Sequence, residues 1–197
     1  MIHWLIEADH TLFIYLNSLH NPFFDVLMAW ITDRFTWFPF YGLLVFWLIY
    51  RYKQQGLILV LFAALVILCS DQTSSSFMKP FFHRLRPCHN LQFGSLVHVV
   101  GSCGGSFGFT SSHAANSFGL VTFLFLVFRN SRRWFIYLFF WAAVVSYSRI
   151  YVGVHYPGDI LFGALTGCLF AALAFILHRM LPDKYRLDAP AIPAHKE

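Results

Sequence analysis

The chain has 197 residues, 58% of them hydrophobic and only 12% charged, whereas an ordinary soluble domain carries about 25% charged residues. That composition, with 24 phenylalanines and six tryptophans, excludes a water-soluble core of this size and places a helical bundle in lipid. The formal charge of +5 has the sign that nucleic acid attracts, but the basic residues fall in short clusters between apolar spans, as membrane topology requires, and no nucleic-acid partner is expected.

Met1 to His10 carries acidic Glu7 and Asp9 where a cleavable signal would have a basic run, so the segment is expected to stay on the protein. Trp4 to Leu19 sets Leu5, Ala8, Leu12, Leu16 and Leu19 on one helical face, with Glu7, Asp9, His10 and Asn17 mostly elsewhere. That pattern predicts an amphipathic helix lying in the membrane interface. Phe23 to Thr32, after the Asn21-Pro22 break, is too short to cross about 30 Å of hydrocarbon and reads as a packing helix that leads into the first span. Five spans are predicted next, at 36–52, 56–78, 108–128, 133–150 and 158–180. A loop rich in Gly, Pro, His and Arg separates the second and third, from about 79 to 107, and loops of that length usually carry function. The organisation is therefore N-terminal interfacial helices at 1–35, a transmembrane domain at 36–181, and a polar, disordered cytoplasmic tail at 182–197.

Arg51 and Lys53, then Arg129, Arg132 and Arg133, then Arg179, Lys184, Arg186 and Lys196 fall on one side of a five-span bundle, which the charge rule assigns to the cytoplasm. The N-terminus, the long loop and the Arg149 to Asp159 connection then face outward, in a bacterium to the periplasm. Cys88 and Cys103 lie in the outer loop. An oxidising compartment permits a disulfide there that closes about 16 residues and is worth roughly 3 kcal/mol; two free thiols are the alternative. The four cysteines show neither the close pairs nor the histidine partners of a zinc site, so no metal is expected.

Three polar clusters belong to the outward ends of the spans: Lys79 to Pro87, Thr110-Ser111-Ser112-His113, and Ser148-Arg149 with His155 and Asp159. A single cation at a membrane boundary can simply reach for head groups, but the three clusters together have one chemistry. A transferring phosphoryl group spreads charge over three oxygens and is stabilised by cations and N–H groups around it. Lys79, Arg86 and Arg149 supply the cations, and Ser111 and Ser112 precede a helix whose free N–H groups make an anion site. His155, four residues before Asp159, is the expected nucleophile with the carboxylate fixing its tautomer, and His113 is the expected acid. Asp71, Trp37, Phe38, Phe40 and Tyr41 are assigned supporting or interfacial roles, and Gly163 and Gly167 a close helix contact.

These residues resemble the signature of the type 2 phosphatidic acid phosphatase superfamily: Lys, six residues, Arg-Pro; Pro-Ser-Gly-His; and Ser-Arg, five residues, His, three residues, Asp. Lys79, Arg86 and Pro87 match the first part and Ser148, Arg149, His155 and Asp159 the third, while Thr110 and Ser112 replace Pro and Gly in the second. The resemblance, running from about Asp71 to Gly167, implies an all-α integral membrane protein with an acid phosphatase/vanadium haloperoxidase-like bundle. It also implies no cofactor, a phosphohistidine on His155, and hydrolysis of a lipid phosphomonoester or diphosphate. Undecaprenyl diphosphate is the favoured substrate at this stage, with lipid A and phosphatidylglycerophosphate as competitors. A non-catalytic lipid-phosphate binder or transporter and a lipid phosphotransferase are the rival classes.

Overall fold

The computed structural model describes residues 2–128 and 133–187, so Arg129, Arg132, Lys196 and the tail from 188 onward lie outside the described residues. Seven α-helices follow in order: α1 (Ile2–Ser18), α2 (Pro22–Thr32), α3 (Phe38–Gln72), α4 (Lys79–Phe82), α5 (Ser112–Phe128), α6 (Leu138–Tyr151) and α7 (Pro157–Arg179). No strand is present among the described residues; a lone bridge joins Leu85 to Phe107.

The helix α3 is two antiparallel arms. Lys53 takes φ 52° and ψ −123°, which no helix tolerates, and the chain turns back so sharply that a side chain on Gly56 would collide with the Leu48 backbone. The predicted spans 36–52 and 56–78 are these arms; a π-helical turn (Thr73–Met78) then carries the second arm into α4. His83, left-handed at φ 49°, ends α4.

The remaining predicted spans fall on α5, which starts at Ser112 and not at 108, α6 behind a short 3-10 turn (Arg133–Tyr137), and α7. By length and composition, Arg34–Phe82 with mean hydropathy 2.0 and Pro157–Arg179 with 2.5 are able to cross a membrane, while α5 and α6 are shorter apolar helices. At 1.5 Å per residue α5 covers about 26 Å.

Packing follows from which residues are small. The helix α5 runs through the middle and is buried along most of its length, from Ala114 to Phe128. Its partner α7 turns Gly163, Gly167, Ala171 and Ala174 inward and leaves Leu161, Leu165, Leu169, Leu173 and Leu177 exposed. That arrangement is opposite to a soluble helix and is what lipid selects, since close backbone approach supplies the contacts that water would otherwise drive. Gly119 and Gly167 lie at the crossing, where a side chain on Gly167 would strike the Ala115 carbonyl.

The amphipathic prediction for α1 holds in periodicity and needs correction in what the second face does. Trp4, Leu5, Leu12, Tyr15 and Leu19 point away from the bundle, whereas Phe13 and Asn17 are buried and Asp9 and His10 half-buried against it. Asp9, His10, Phe13 and Asn17 form the docking face, while Glu7 stays exposed. Asn17 Nδ2 donates to the Tyr151 and Ile150 carbonyls at 2.8 and 3.2 Å and so closes the C-terminal end of α6. Residues 182–187, expected to belong to the disordered tail, are instead packed: Leu187 is buried, and the Arg186 carbonyl accepts from Gln55 Nε2 at 2.9 Å.

The α2–α3 turn, the long 83–111 loop and the α6–α7 connection thus gather at one end of the bundle with α1 and α2. The α3 reversal, the 3-10 turn and residues 180–187 meet at the other.

Candidate active site

All eight predicted site residues converge at the first end. The α6–α7 connection carries the histidine: Val154 N and His155 N both donate to the Arg149 carbonyl at 3.1 and 3.2 Å, and Gly153 makes the turn with φ 79°, its Cα facing the His98 carbonyl where a Cβ would not fit. His155 is 2% exposed and Asp159, in the first turn of α7, 0%. His155 Nδ1 lies 3.4 Å from Asp159 Oδ2, and the same oxygen accepts the Tyr156 amide at 3.0 Å. A carboxylate beside Nδ1 holds the proton on that nitrogen and leaves Nε2 with a free lone pair. Burial pushes the His155 pKa down to about 4, against the opposing pull of Asp159 and with help from the Arg149 and Arg86 charges, so the imidazole is neutral at ordinary pH.

The α5 N-terminus is packed against that dyad. Ser111 N donates to the Asp159 carbonyl at 3.0 Å, and a Cβ on Gly163 would stand 2.5 Å from the Ser111 carbonyl. Ser111 itself is fully buried and its hydroxyl accepts the Ala114 amide at 3.5 Å, so its side chain caps α5. Ser112 takes the Lys79 ammonium at 3.0 Å. The hydroxyl that stands where the resembled pattern has glycine therefore orients a cation. Thr110, the other departure from that pattern, is buried and donates to Ser74 in the π-helical turn at 3.1 Å.

Arg86 and Arg149 are held by uncharged oxygens. Arg86 Nε and Nη1 donate to the Phe107 and Cys103 carbonyls at 3.2 and 3.0 Å. Cys88 and Cys103 are joined as a disulfide, which ties the strand leaving Arg86 to the carbonyl that orients it. Arg149 donates to the Thr32 hydroxyl, and His113 Nε2 meets the Thr32 carbonyl at 3.2 Å, which fixes the proton on Nε2 because a carbonyl only accepts. His113 feels the charges of Arg149 and Lys79 and sits within electrostatic reach of His155. A cavity of about 340 Å³ opens over Arg86 and Arg149 between Thr32, Val152 and the Gly101–Gly104 turn. Gly108 packs against the dyad; a Cβ there would come within 3.1 Å of Asp159 Oδ2 and 3.2 Å of the Arg86 side chain.

Four residues at the site carried no role in the sequence reading. Arg84 lies within the first polar cluster, two residues before Arg86. It donates to Asp159 Oδ1 at 2.8 Å and to Asp9, with its guanidinium 4.1 Å over the Tyr156 ring. Thr32 makes α2 more than a packing helix. Asp9 had a legible signal, an ionisable residue on a helix predicted to lie in the membrane interface; Gly108 and Thr32 had none. Asp71 faces Asn116, 3.4 Å away, and contributes charge toward Lys79.

The model of the PAP2 superfamily matches residues 55–183 of this sequence. The chain belongs to the PAP2 superfamily. It is 38% identical to the lipid A 4'-phosphatase of Bacteroides thetaiotaomicron over 194 residues, covering 96% of this chain and 85% of that protein. A lipid A 4'-phosphatase of Porphyromonas gingivalis is 34% identical over 195 residues, covering 98% and 81%. Among solved structures, Aquifex aeolicus LpxE superposes with a TM-score of 0.66 at 27% identity, over 84% of this chain and 93% of that one. The protein is a PAP2-type lipid phosphatase of the bacterial membrane branch, as the signature residues implied.

Proposed function

We propose that this PAP2 phosphatase removes the 4'-phosphate of lipid A, at the periplasmic face of the inner membrane, through a phosphohistidine on His155. The observation that carries the substrate is the near-full-length identity to two lipid A 4'-phosphatases. It displaces undecaprenyl diphosphate, whose preference rested only on an outward-facing site. The orientation is supported by Arg51, Lys53, Arg179, Lys184 and Arg186 standing at the end opposite the site, since such clusters stay in the cytoplasm.

The phosphate is read into the space between Lys79, Arg86, Arg149 and the α5 N-terminus. His155 Nε2 attacks phosphorus with its lone pair as the bond to the sugar oxygen breaks, and His113, carrying a second proton on Nδ1 while Nε2 stays on the Thr32 carbonyl, protonates that departing oxygen from Nδ1. Asp159 stabilises the charge that develops on the imidazole. Water then attacks the phosphohistidine and gives a proton to His113; the P–N bond breaks, and inorganic phosphate and free His155 return. The cations gain their full effect only as equatorial charge develops.

The test is release of free phosphate, in detergent with chelator present, from lipid A 1,4'-bisphosphate, undecaprenyl diphosphate and phosphatidylglycerophosphate, with mass spectrometry of the lipid product and His155→Ala beside it. Loss of one phosphate from the 4' position by the wild type alone is expected. Preference for another lipid would replace the substrate, transfer to a second lipid would make the protein a phosphotransferase, and lipid binding without turnover would make it a binder.

A further inference from the structure

Arg84 does not reach toward the phosphate cations. Nη1 donates to Asp159 Oδ1 at 2.8 Å, Nη2 to Asp9 Oδ2, and the flat of the group rests on Tyr156. The second oxygen of Asp9 accepts the Gly158 amide, in the first turn of α7, at 2.7 Å. A ring of contacts is thereby closed: Asp9 to Arg84, Arg84 to Asp159, and α7 back to Asp9. Gly158 is required at that position because a Cβ would stand 2.9 Å from Asp9 Oδ2. With Oδ1 of Asp159 occupied by Arg84, only Oδ2 is left for His155 and the Tyr156 amide.

We propose that the Asp9–Arg84 pair is a positioning device for the catalytic carboxylate, tying the seat of the interfacial helix α1 to the orientation of His155. The proposal rests on the reading of His155 as nucleophile. Arg84 and Asp9 have side chains only 24% and 16% exposed, so their charges act on Asp159 with little screening. Asp9 divides the Arg84 charge with Asp159, which keeps Asp159 negative enough to stabilise a charged imidazole. The Arg84 Nη atoms and both Asp9 oxygens are taken up by these contacts and are not directed at the space between Lys79, Arg86 and Arg149. The outward face of α1, with Trp4, Leu12 and Tyr15 exposed, is the part that lipid holds in place, so how α1 sits decides whether the ring is closed.

The experiment measures kcat and KM in detergent for wild type, Asp9→Asn, Asp9→Glu, Arg84→Gln and the Asp9→Asn/Arg84→Gln double variant, on whichever of lipid A bisphosphate and phosphatidic acid the wild type turns over faster. His155→Ala and the thermal midpoint of each variant are run alongside. Asp9→Asn keeps the shape and the Gly158 contact. It is expected to lower kcat about 10-fold with KM within about two-fold and an unchanged midpoint, a loss in keeping with a small misplacement of reacting groups. Asp9→Glu should recover most of the rate, and the double variant should be no slower than Arg84→Gln, since both act through one ring. Wild-type kcat in Asp9→Asn, a raised KM at unchanged kcat, or additive losses would overturn the proposal while His155→Ala remains dead. Collapse of Asp9→Asn on purification would overturn it too, by assigning the pair to folding. Activity surviving in His155→Ala would remove the nucleophile and this inference with it.

Discussion

The two ends of the bundle use the same basic residues in opposite ways. At the site end Arg86 and Arg149 are half-buried and directed by carbonyl and hydroxyl oxygens. At the other end Arg51 and Lys53 are exposed, each lying over a neighbouring tyrosine ring at 5.5 and 5.0 Å, with packing supplied by rings such as Phe128 on Phe135. An arginine at a membrane boundary is thus uninformative until its partners are known: one set is immobilised by protein oxygens, the other is solvated.

The sharpest way to break the contrast is at the dyad. His155→Ala removes the attacking nitrogen, and kcat is expected to fall on the order of 10⁴-fold or more; Asp159→Asn, which offers Nδ1 the wrong tautomer, should come close to it. Both are read by phosphate release at saturating lipid. Arg149→Ala should cost about 10² to 10³ in kcat, the usual loss for one preorganised donor to developing charge. A loss confined to KM would mean instead that Arg149 binds ground state and transition state alike.

Acid titration reads the same end. With its pKa pushed down to about 4, His155 stays neutral as pH falls through the ordinary histidine range and is lost as nucleophile only below about 4. The acid limb of kcat/KM, corrected for the substrate phosphate with its second pKa near about 6, should therefore bend near 4 and then drop about ten-fold per pH unit. Arg86 helps depress that value, so Arg86→Gln should move the bend upward, toward 6.5, in an enzyme that is also slower. A bend at 6.5 in the wild type would place His155 in contact with solvent.

The apolar spans were legible because a bilayer demands long runs without charge, and the signature residues because the chemistry fixes their spacing within one segment. What stayed hidden was contact between distant segments. Thr32 lies 81 residues from His113 and 117 from Arg149, and no spacing rule links them. Arg84 stands two residues from Arg86 and shares its type, yet the two point to different partners. The face of α1 could not be chosen from its period alone, since a helix in lipid turns its polar side inward where a soluble helix turns it out. Lys53 read as a topological charge and is also the residue at which α3 reverses.

Helix contact at the site end offers a smaller effect. Gly163→Ala would drive a methyl toward the Ser111 carbonyl, backbone against which little can give. Overpacking of this kind costs about 1–3 kcal/mol, so the apparent Tm in detergent should fall by roughly 3–10 °C. Because Ser111 opens α5, kcat should fall as well. An unchanged Tm would mean that α5 and α7 slide apart at no cost.

The smallest change belongs to the far end. Lys53 holds φ 52° and ψ −123°, a backbone that glycine adopts without the Cβ conflict a lysine carries. Lys53→Gly removes one exposed charge and that conflict together, so Tm should rise by about 1–3 °C, while kcat and KM stay within about two-fold. Thermal unfolding beside the phosphate-release assay decides it. If the rate fell with the fold intact, the reversal of α3 would be coupled through its second arm to Lys79, and the two ends would be parts of one mechanical unit. A rate that holds while the midpoint rises leaves the far end as anchor and topology alone, with the chemistry contained between α1, α2 and the first turns of α5 and α7.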